Sequence, residues 1–92
     1  MSRPKKPRRL GFRPGVRYFK PQGVPLKQLN EIVLLPDELE ALKLYESDNL
    51  SQIEAAVKME ISQPTFARIL GSAYHKISLA VLKGEAIRLQ QS

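Results

Sequence analysis

The most restrictive feature of this sequence is a pair of helix start signals only 11 residues apart. Ser51 and Glu54 have the S-x-x-E spacing of a capping box, which marks the beginning of a helix. Ser62 is a good N-cap for the next helix, and Pro64 then lies in its first turn, where a missing N–H removes no intrahelical bond. The first helix of this pair is therefore predicted over residues 51–59, and a tight turn must join it to the helix that begins at Ser62.

The helix after the turn is long, and another helix precedes the pair. A helix is predicted over residues 36–47, because Pro36 suits a first helical position and the acids after it favour the positive end of the helix dipole. The last helix is predicted over residues 62–83, since Gly84 is a natural C-terminal stop. Gly71 is tolerated inside it at a cost of about 1 kcal/mol.

Apolar residues at helical spacing predict which face of each helix is buried. The predicted stripes are Leu35, Leu39, Leu42 and Tyr45 in the first helix, Ile53, Ala56 and Val57 in the second, and Phe66, Ile69, Leu70, Ala73, Ile77 and Val81 in the third. Residues 30–35 could form a short strand, and the tail with Ile87 and Leu89 could pair with residues 31–34. The fold class is therefore mainly α, with three helices, a long third helix and a short two-stranded β pairing that the sequence allows.

Two closely spaced helices behind an earlier helix describe a helix-turn-helix. Ala56 is small where the two helices must pack closely, and Ile61 is apolar where it would fill the angle between them. Glu60 occupies the turn position that favours glycine, so either the turn adopts another geometry or the protein tolerates a strain of the order of 1 kcal/mol. The alternative for this segment is a plain helical hairpin in a small bundle.

The outward residues at the start of the third helix suit contact with the major groove. Gln63 can pair with adenine and Arg68 with guanine, while Pro64 and Ala67 can contact a thymine methyl group. Phosphate contacts are predicted for Gln52, Ser62, Thr65, His75 and Lys76.

The net charge of +6 is concentrated near the start of the chain. Residues 1–27 hold nine Lys or Arg and no acid, which favours a polyanionic partner over a merely solubilising tail. A Pro-rich basic arm, extended and partly disordered, is predicted over residues 1–24, with the helical domain over 25–92. Its predicted phosphate contacts are Arg3, Lys5, Lys6, Arg8 and Arg9. The aromatic residues Phe12, Tyr18 and Phe19 either anchor the arm on the body or stack on bases.

Several classes of protein are excluded by composition. The chain has no cysteine and a single histidine, so disulfides, thiolate metal sites and a zinc site are not expected. No nucleophile–base pair or phosphate-binding loop is present, so we expect neither an enzyme nor a cofactor. No apolar run is long enough for a membrane span or a signal region, which predicts a soluble cytoplasmic protein.

The segments RPKKPRR, DELEALKL, LSQIEAAVKMEISQPTFARILGSAYHKI and LKGEAI resemble, in this order, a family of small uncharacterised prokaryotic proteins. Members are predicted to bind DNA through a helix-turn-helix like region 4 of primary sigma factors, and the resemblance implies a DNA-binding regulator. Relatives commonly have glycine at the position of Glu60, so the turn departs from the pattern. Many also carry N-terminal cysteines, which this chain lacks, so a metal-binding or redox-sensing role does not carry over.

The leading hypothesis is a sequence-specific double-stranded DNA-binding protein that regulates transcription. One alternative is a protein-interaction module whose acidic helix contacts RNA polymerase, and another is a small protein whose basic arm binds folded RNA. A homodimer is also predicted, because the apolar stripe of the third helix exceeds what one helix-turn-helix covers.

Overall fold

The computed structural model describes Gly15 and residues 17–90. In chain order the elements are β1 (Tyr18–Phe19), a 3₁₀ turn (Leu26–Gln28), β2 (Glu31–Leu34), α1 (Pro36–Leu42), a π-helical segment (Lys43–Ser47), α2 (Gln52–Met59), α3 (Gln63–Lys83) and β3 (Ala86–Leu89). The mainly helical fold, the three helices and the long third helix are confirmed. The predicted contacts Arg3, Lys5, Lys6, Arg8 and Arg9, together with Phe12, lie outside the described residues.

The helix ends follow local chemistry. Pro36 opens α1, and the N–H of Leu35 donates to Glu38 Oε1 at 2.8 Å. Helix α3 ends at Gly84, whose φ of 66° is left-handed. The predicted first helix changes character after Leu42, because its last turn is π-helical: the N–H of Asp48 donates to the Lys43 carbonyl at 2.9 Å.

A three-stranded sheet has β3 at its centre, antiparallel to β1 and parallel to β2. The predicted pairing of residues 31–34 with the tail is confirmed, with Leu34 opposite Leu89. The pairing is parallel because the three helices supply the crossover that parallel neighbours need. The strand β1 was not predicted. It lies inside the segment that was assigned to the arm, and its Tyr18 lies opposite Arg88 of β3.

The core consists of two clusters of buried side chains that share α3. The first contains Ala41, Leu44, Ala55, Ala56, Met59, Phe66 and Leu70. The second contains Leu34, Leu39, Ala73 and Leu89, with Ile77 and Ile87 packed against it. One end of α3 therefore packs on α2 and the π-helical segment, and the next turns pack on the sheet and α1.

Four residues of the predicted stripes are exposed, so this part of the prediction is wrong. Leu35 is 44% exposed and lies just outside α1, as its N-cap. Ile53 is 60% and Val57 70% exposed, because α2 turns Ala55 and Met59 inward instead. Val81 is 72% exposed, because it lies in the last turn of α3 before the chain leaves for β3. Within a single chain the sheet covers much of the apolar stripe of α3 from which the homodimer was predicted. Less apolar surface is therefore left for a dimer to bury.

Candidate nucleic-acid interface

The start of α2 is fixed by two reciprocal hydrogen bonds. The N–H of Glu54 donates to Ser51 Oγ at 3.0 Å, and the N–H of Ser51 donates to Glu54 Oε1 at 2.9 Å. The predicted capping box is therefore present. It places Gln52 at the first position of α2, where its side chain is half-buried.

The turn between α2 and α3 is left-handed at a residue other than glycine. Glu60 has φ 61° and ψ 42°, and the N–H of Ile61 donates back to the Ala56 carbonyl at 3.0 Å. Ile61 packs against the core cluster that contains Phe66, and Ala56 is buried. The turn therefore keeps the tight geometry expected of a glycine, and Glu60 takes the strain.

Replacing Glu60 with glycine is expected to stabilise the protein. The left-handed conformation costs a side chain about 1–2 kcal/mol, and the greater freedom of an unfolded glycine cancels part of this gain, which leaves about 0.5–1 kcal/mol. Chemical denaturation would measure the change. Glu60→Ala is the matched control, because it removes the charge and keeps the strain. If both variants were equally stabilised, charge and not backbone conformation would be the cause.

The start of α3 explains why Pro64 is tolerated. Ser62 Oγ accepts the N–H of Thr65 at 3.2 Å, and the Ser62 hydroxyl donates to Thr65 Oγ1 at 2.8 Å. Gln63 is the first helical residue and Pro64 the second. Pro64 therefore lies where no intrahelical N–H is needed, as the sequence indicated.

One face at the start of α3 is available to a partner. Phe66 is fully buried and fixes the rotation of the helix. The four predicted base-reading residues are exposed on the outer side; they are Gln63, Pro64, Ala67 and Arg68. An Arg68 Nη lies 3.5 Å from Thr65 Oγ1, at the limit of a hydrogen bond, and Arg68 has no salt bridge with a described residue. Its guanidinium group can therefore pair with an external acceptor.

The predicted phosphate contacts within the described residues do not share one environment. Ser62 and Thr65 form the cap of α3, and Gln52 is at the N-terminus of α2. His75 is exposed and follows Arg68 by seven residues, which places it on the same side of α3 two turns away. These four residues stay in the candidate interface.

Lys76 has a different role from the one predicted. Its ammonium group donates to Glu38 Oε1 at 2.9 Å and to the Val33 carbonyl at 2.8 Å, and the Lys76 side chain is only 27% exposed. Two of its three donors therefore bind α1 and the outer edge of β2. We remove Lys76 from the candidate interface for this reason.

The same contacts give Glu38 a structural role that the sequence did not reveal. Burial raises the pKa of Glu38, but hydrogen bonds from the Leu35 N–H, the Ser72 hydroxyl and the Lys76 ammonium outweigh it, so the pKa is below its usual value. Ser72 Oγ lies 2.6 Å from Glu38 Oε2. Glu38 therefore ties two turns of α3 to α1. The sequence offered no signal that distinguished Glu38 from the other acidic residues of the same helix.

The described part of the chain, called the body below, has no net charge. Six of the 15 basic residues lie in residues 1–14, outside the described part of the chain. The other nine equal the nine acidic residues, all of which are described. The net charge of +6 is thus carried entirely by the first 14 residues, and Arg68 belongs to a body that has no net charge.

Two other features, a membrane-spanning helix and a metal-binding cluster, are absent from the described part of the chain. No helix among residues 17–90 is both long and apolar enough to cross a membrane. Nor do these residues bring together three His, Cys, Asp or Glu side chains that could hold a metal ion.

Comparison with known proteins places the whole chain in one group of relatives. The family model described as "Protein of unknown function DUF134" matches residues 1–91. A UPF0251 protein of Moorella thermoacetica is 49% identical over 90 residues, covering 98% of this chain and 60% of the relative. The chain therefore spans less than two thirds of that relative's length.

Other relatives are similar over the same region. A UPF0251 protein of Halothermothrix orenii is 44% identical over 98% of this chain and 67% of its own length. A UPF0251 protein of Dehalococcoides mccartyi is 49% identical over 98% of this chain and 77% of its own length. No solved structure matches the chain significantly. The relatives' names state no activity, so function must be argued from the residues.

Proposed function

This chain belongs to the DUF134 family, also named UPF0251, and we propose that it is a sequence-specific double-stranded DNA-binding protein that regulates transcription. In this proposal α2, the left-handed turn and α3 form a helix-turn-helix, and α3 is the recognition helix. One observation carries the proposal: Gln63, Pro64, Ala67 and Arg68 are exposed together on the first two turns of α3.

The chemistry of this face matches base edges in the major groove. An amide such as Gln63 pairs with adenine N6 and N7, and a guanidinium such as Arg68 pairs with guanine O6 and N7. Pro64 and Ala67 offer apolar surface for a thymine methyl group. The burial of Phe66 on the opposite side supports the proposal, because it holds these side chains at one rotation of the helix.

The division of charge assigns different tasks to the two parts of the chain. A body without net charge gains little binding affinity from the DNA phosphates, so its contribution is to recognise the base sequence. The basic segment of residues 1–14 supplies charge that phosphates attract on any sequence. We therefore propose that the body selects the site and the basic segment strengthens binding, through phosphates or a neighbouring minor groove.

Replacing Arg68 with alanine is expected to weaken binding to the preferred duplex by about 1–3 kcal/mol and to relax the sequence preference. Selection from a random duplex library at physiological salt would first identify that duplex, and fluorescence anisotropy would then compare the native chain with the variant. The expected loss on random duplex is smaller, because Arg68 pairs with a base there only by chance.

Arg88→Ala is the matched control for this experiment. It removes the same charge from the sheet, where Arg88 Nε pairs with Glu31 Oε1 at 3.2 Å. The control is expected to keep the sequence preference. An equal loss of affinity on selected and random duplexes for Arg68→Ala would rule out base reading by this residue.

The alternative of an acidic surface that contacts RNA polymerase has less support than the sequence indicated. Glu38 and Glu40 of α1 are only 4% and 9% exposed, and Glu46 accepts a hydrogen bond from the Tyr74 hydroxyl. Two of the four acidic residues of this helix are thus buried, and the exposed Glu46 already has a hydrogen-bond partner. Binding of folded RNA stays an alternative, and tighter binding to folded RNA than to any selected duplex would favour it.

The homodimer also stays a prediction. Its remaining support is the last turn of α3, where Val81 and Leu82 are 72% and 81% exposed. A dimer would place two recognition helices about one turn of DNA apart, so its selected site would be a palindrome.

A further inference from the structure

Gly71 has no explanation within the described part of the chain. It lies in the middle of α3 and is exposed, and a Cβ atom added there would meet nothing within 4 Å. Its φ is not positive, in contrast to Gly23 and Gly84, so the backbone does not require glycine either. Glycine is the least favourable residue in a helix interior apart from proline. The reason for its presence therefore lies outside the described fold.

The position of Gly71 on the helix indicates where that reason lies. It follows Arg68 by three residues and Ala67 by four, so it lies on the same face one turn further along. The polar side chains beside it turn back to the body, since Ser72 donates to Glu38 and Tyr74 donates to Glu46. At Gly71 the face of α3 that carries Ala67 and Arg68 therefore consists of backbone without a side chain.

On the basis of the proposed function, we propose that the backbone of α3 at Gly71 lies directly against the duplex, and that the missing side chain sets how deeply the recognition helix enters the major groove. A helix with its side chains is about 10–12 Å wide and the groove is about 12 Å wide, so one added carbon on the inserted face moves the helix outward. Gln63 and Arg68 then no longer reach the base edges at hydrogen-bonding distance. Gly71 is therefore a positioning residue for the base contacts.

A second copy of the chain is the other partner that bare helix backbone would suit. The location of Gly71 favours DNA, because it adjoins Ala67 and Arg68. A helix of a second copy packed on Gly71 would cover those two residues. The exposed apolar residues Val81 and Leu82 lie at the far end of α3, about 15 Å away along its axis. A contact between copies would sooner form there.

Two substitutions of graded size test the proposal, namely Gly71→Ala and Gly71→Gln. Gly71→Ala is expected to raise Tm by about 4–8 °C, because it favours the helix and meets open space. The same variant is expected to bind the selected duplex about tenfold more weakly than the native chain. Gly71→Gln is expected to lose more affinity, and both losses should be larger on the selected duplex than on a random one.

The opposite signs of these effects separate a contact with DNA from a structural role, because a purely structural residue would change affinity only through folding. Ser78→Ala and Ser78→Gln are the matched controls. Ser78 is exposed on the same face about 10.5 Å further along the axis, so both variants should bind as the native chain does. Thermal unfolding, fluorescence anisotropy and sedimentation velocity measure stability, affinity and oligomeric state.

Three results would overturn the proposal. Gly71→Ala could bind the selected duplex as tightly as the native chain, or it could lose affinity only to the extent that Tm falls. It could also change the oligomeric state with unaltered affinity, which would assign Gly71 to a contact between copies. If the native chain bound no duplex, the proposed function would fail together with this inference. If the native chain and both Gly71 variants bound alike, only the inference would fail.

Discussion

A chain that lacks residues 1–14 is expected to bind duplex DNA far more weakly than the full chain, and by the same factor on every sequence. These residues carry six basic side chains and no acid, while the rest of the chain has no net charge. Each phosphate neutralised contributes about 0.9 to the slope of log K against log salt, so the loss of six such contacts lowers that slope by about 5. Fluorescence anisotropy at four or five salt concentrations would measure the slope for both chains.

The truncation removes none of the described helices and strands, because β1 begins at Tyr18. A full-length chain with its first six basic residues replaced by glutamine is the matched control, and it should reproduce the slope of the truncated chain. The ratio of affinities for selected and random duplexes should change little in either variant. A slope that stays the same, or a loss confined to the selected duplex, would contradict the assignment of phosphate binding to this segment.

The helix boundaries could be predicted because their signals are local. Ser51 with Glu54, Ser62 before Pro64, and Gly84 after Lys83 each fix a helix end through backbone groups within a few residues. The turn position of Glu60 could be identified for the same reason, since a tight turn between two such ends favours a left-handed residue. The sequence left open whether the turn adopts another geometry, and the φ of 61° at Glu60 decides for strain. None of these features depends on distant parts of the chain.

The features that could not be predicted depend on packing between distant segments. In eight residues of α2, Ile53 with Val57 and Ala55 with Met59 both have helical spacing. The second pair is buried. The packing of α2 on α3, and not the hydrophobicity of the side chains, determines which pair faces inward. The strand β1 depends on pairing with a strand 70 positions away, as in Tyr18 with Arg88.

The candidate site was predictable to the extent that it follows from one helix. Once Ser62 begins α3 and Phe66 faces the core, the exposure of Gln63, Ala67 and Arg68 follows from the helical repeat. Lys76 was misplaced because its partners, Glu38 and Val33, come from other elements. The contact is long-range, so no pattern near Lys76 distinguishes it from the exposed His75.

Replacing Glu38 with glutamine is expected to destabilise the protein by about 3 kcal/mol at neutral pH. Breaking a buried ion pair by removing one partner costs about 3–5 kcal/mol, and the low end applies because Lys76 is 27% exposed and can reach water. Glu38 itself is 4% exposed and accepts bonds from Leu35, Ser72 and Lys76, so an amide leaves some of these donors unpaired. Chemical denaturation of the native chain and the variant would measure the loss.

The pH dependence gives this prediction a second test. The pKa of Glu38 is lower in the folded than in the unfolded chain, so its contribution is fully present above its ordinary pKa of 4.5 and is lost as pH falls through the lower folded value. The native chain should therefore lose part of its advantage over Glu38→Gln on acidification below about pH 4.5, while the difference stays constant from pH 6 to 8. Glu38→Gln with Lys76→Met is the control, because removing both charges should recover part of the lost stability. A difference that persisted unchanged at pH 3 would show that the charge of Glu38 does not hold α1 against α3.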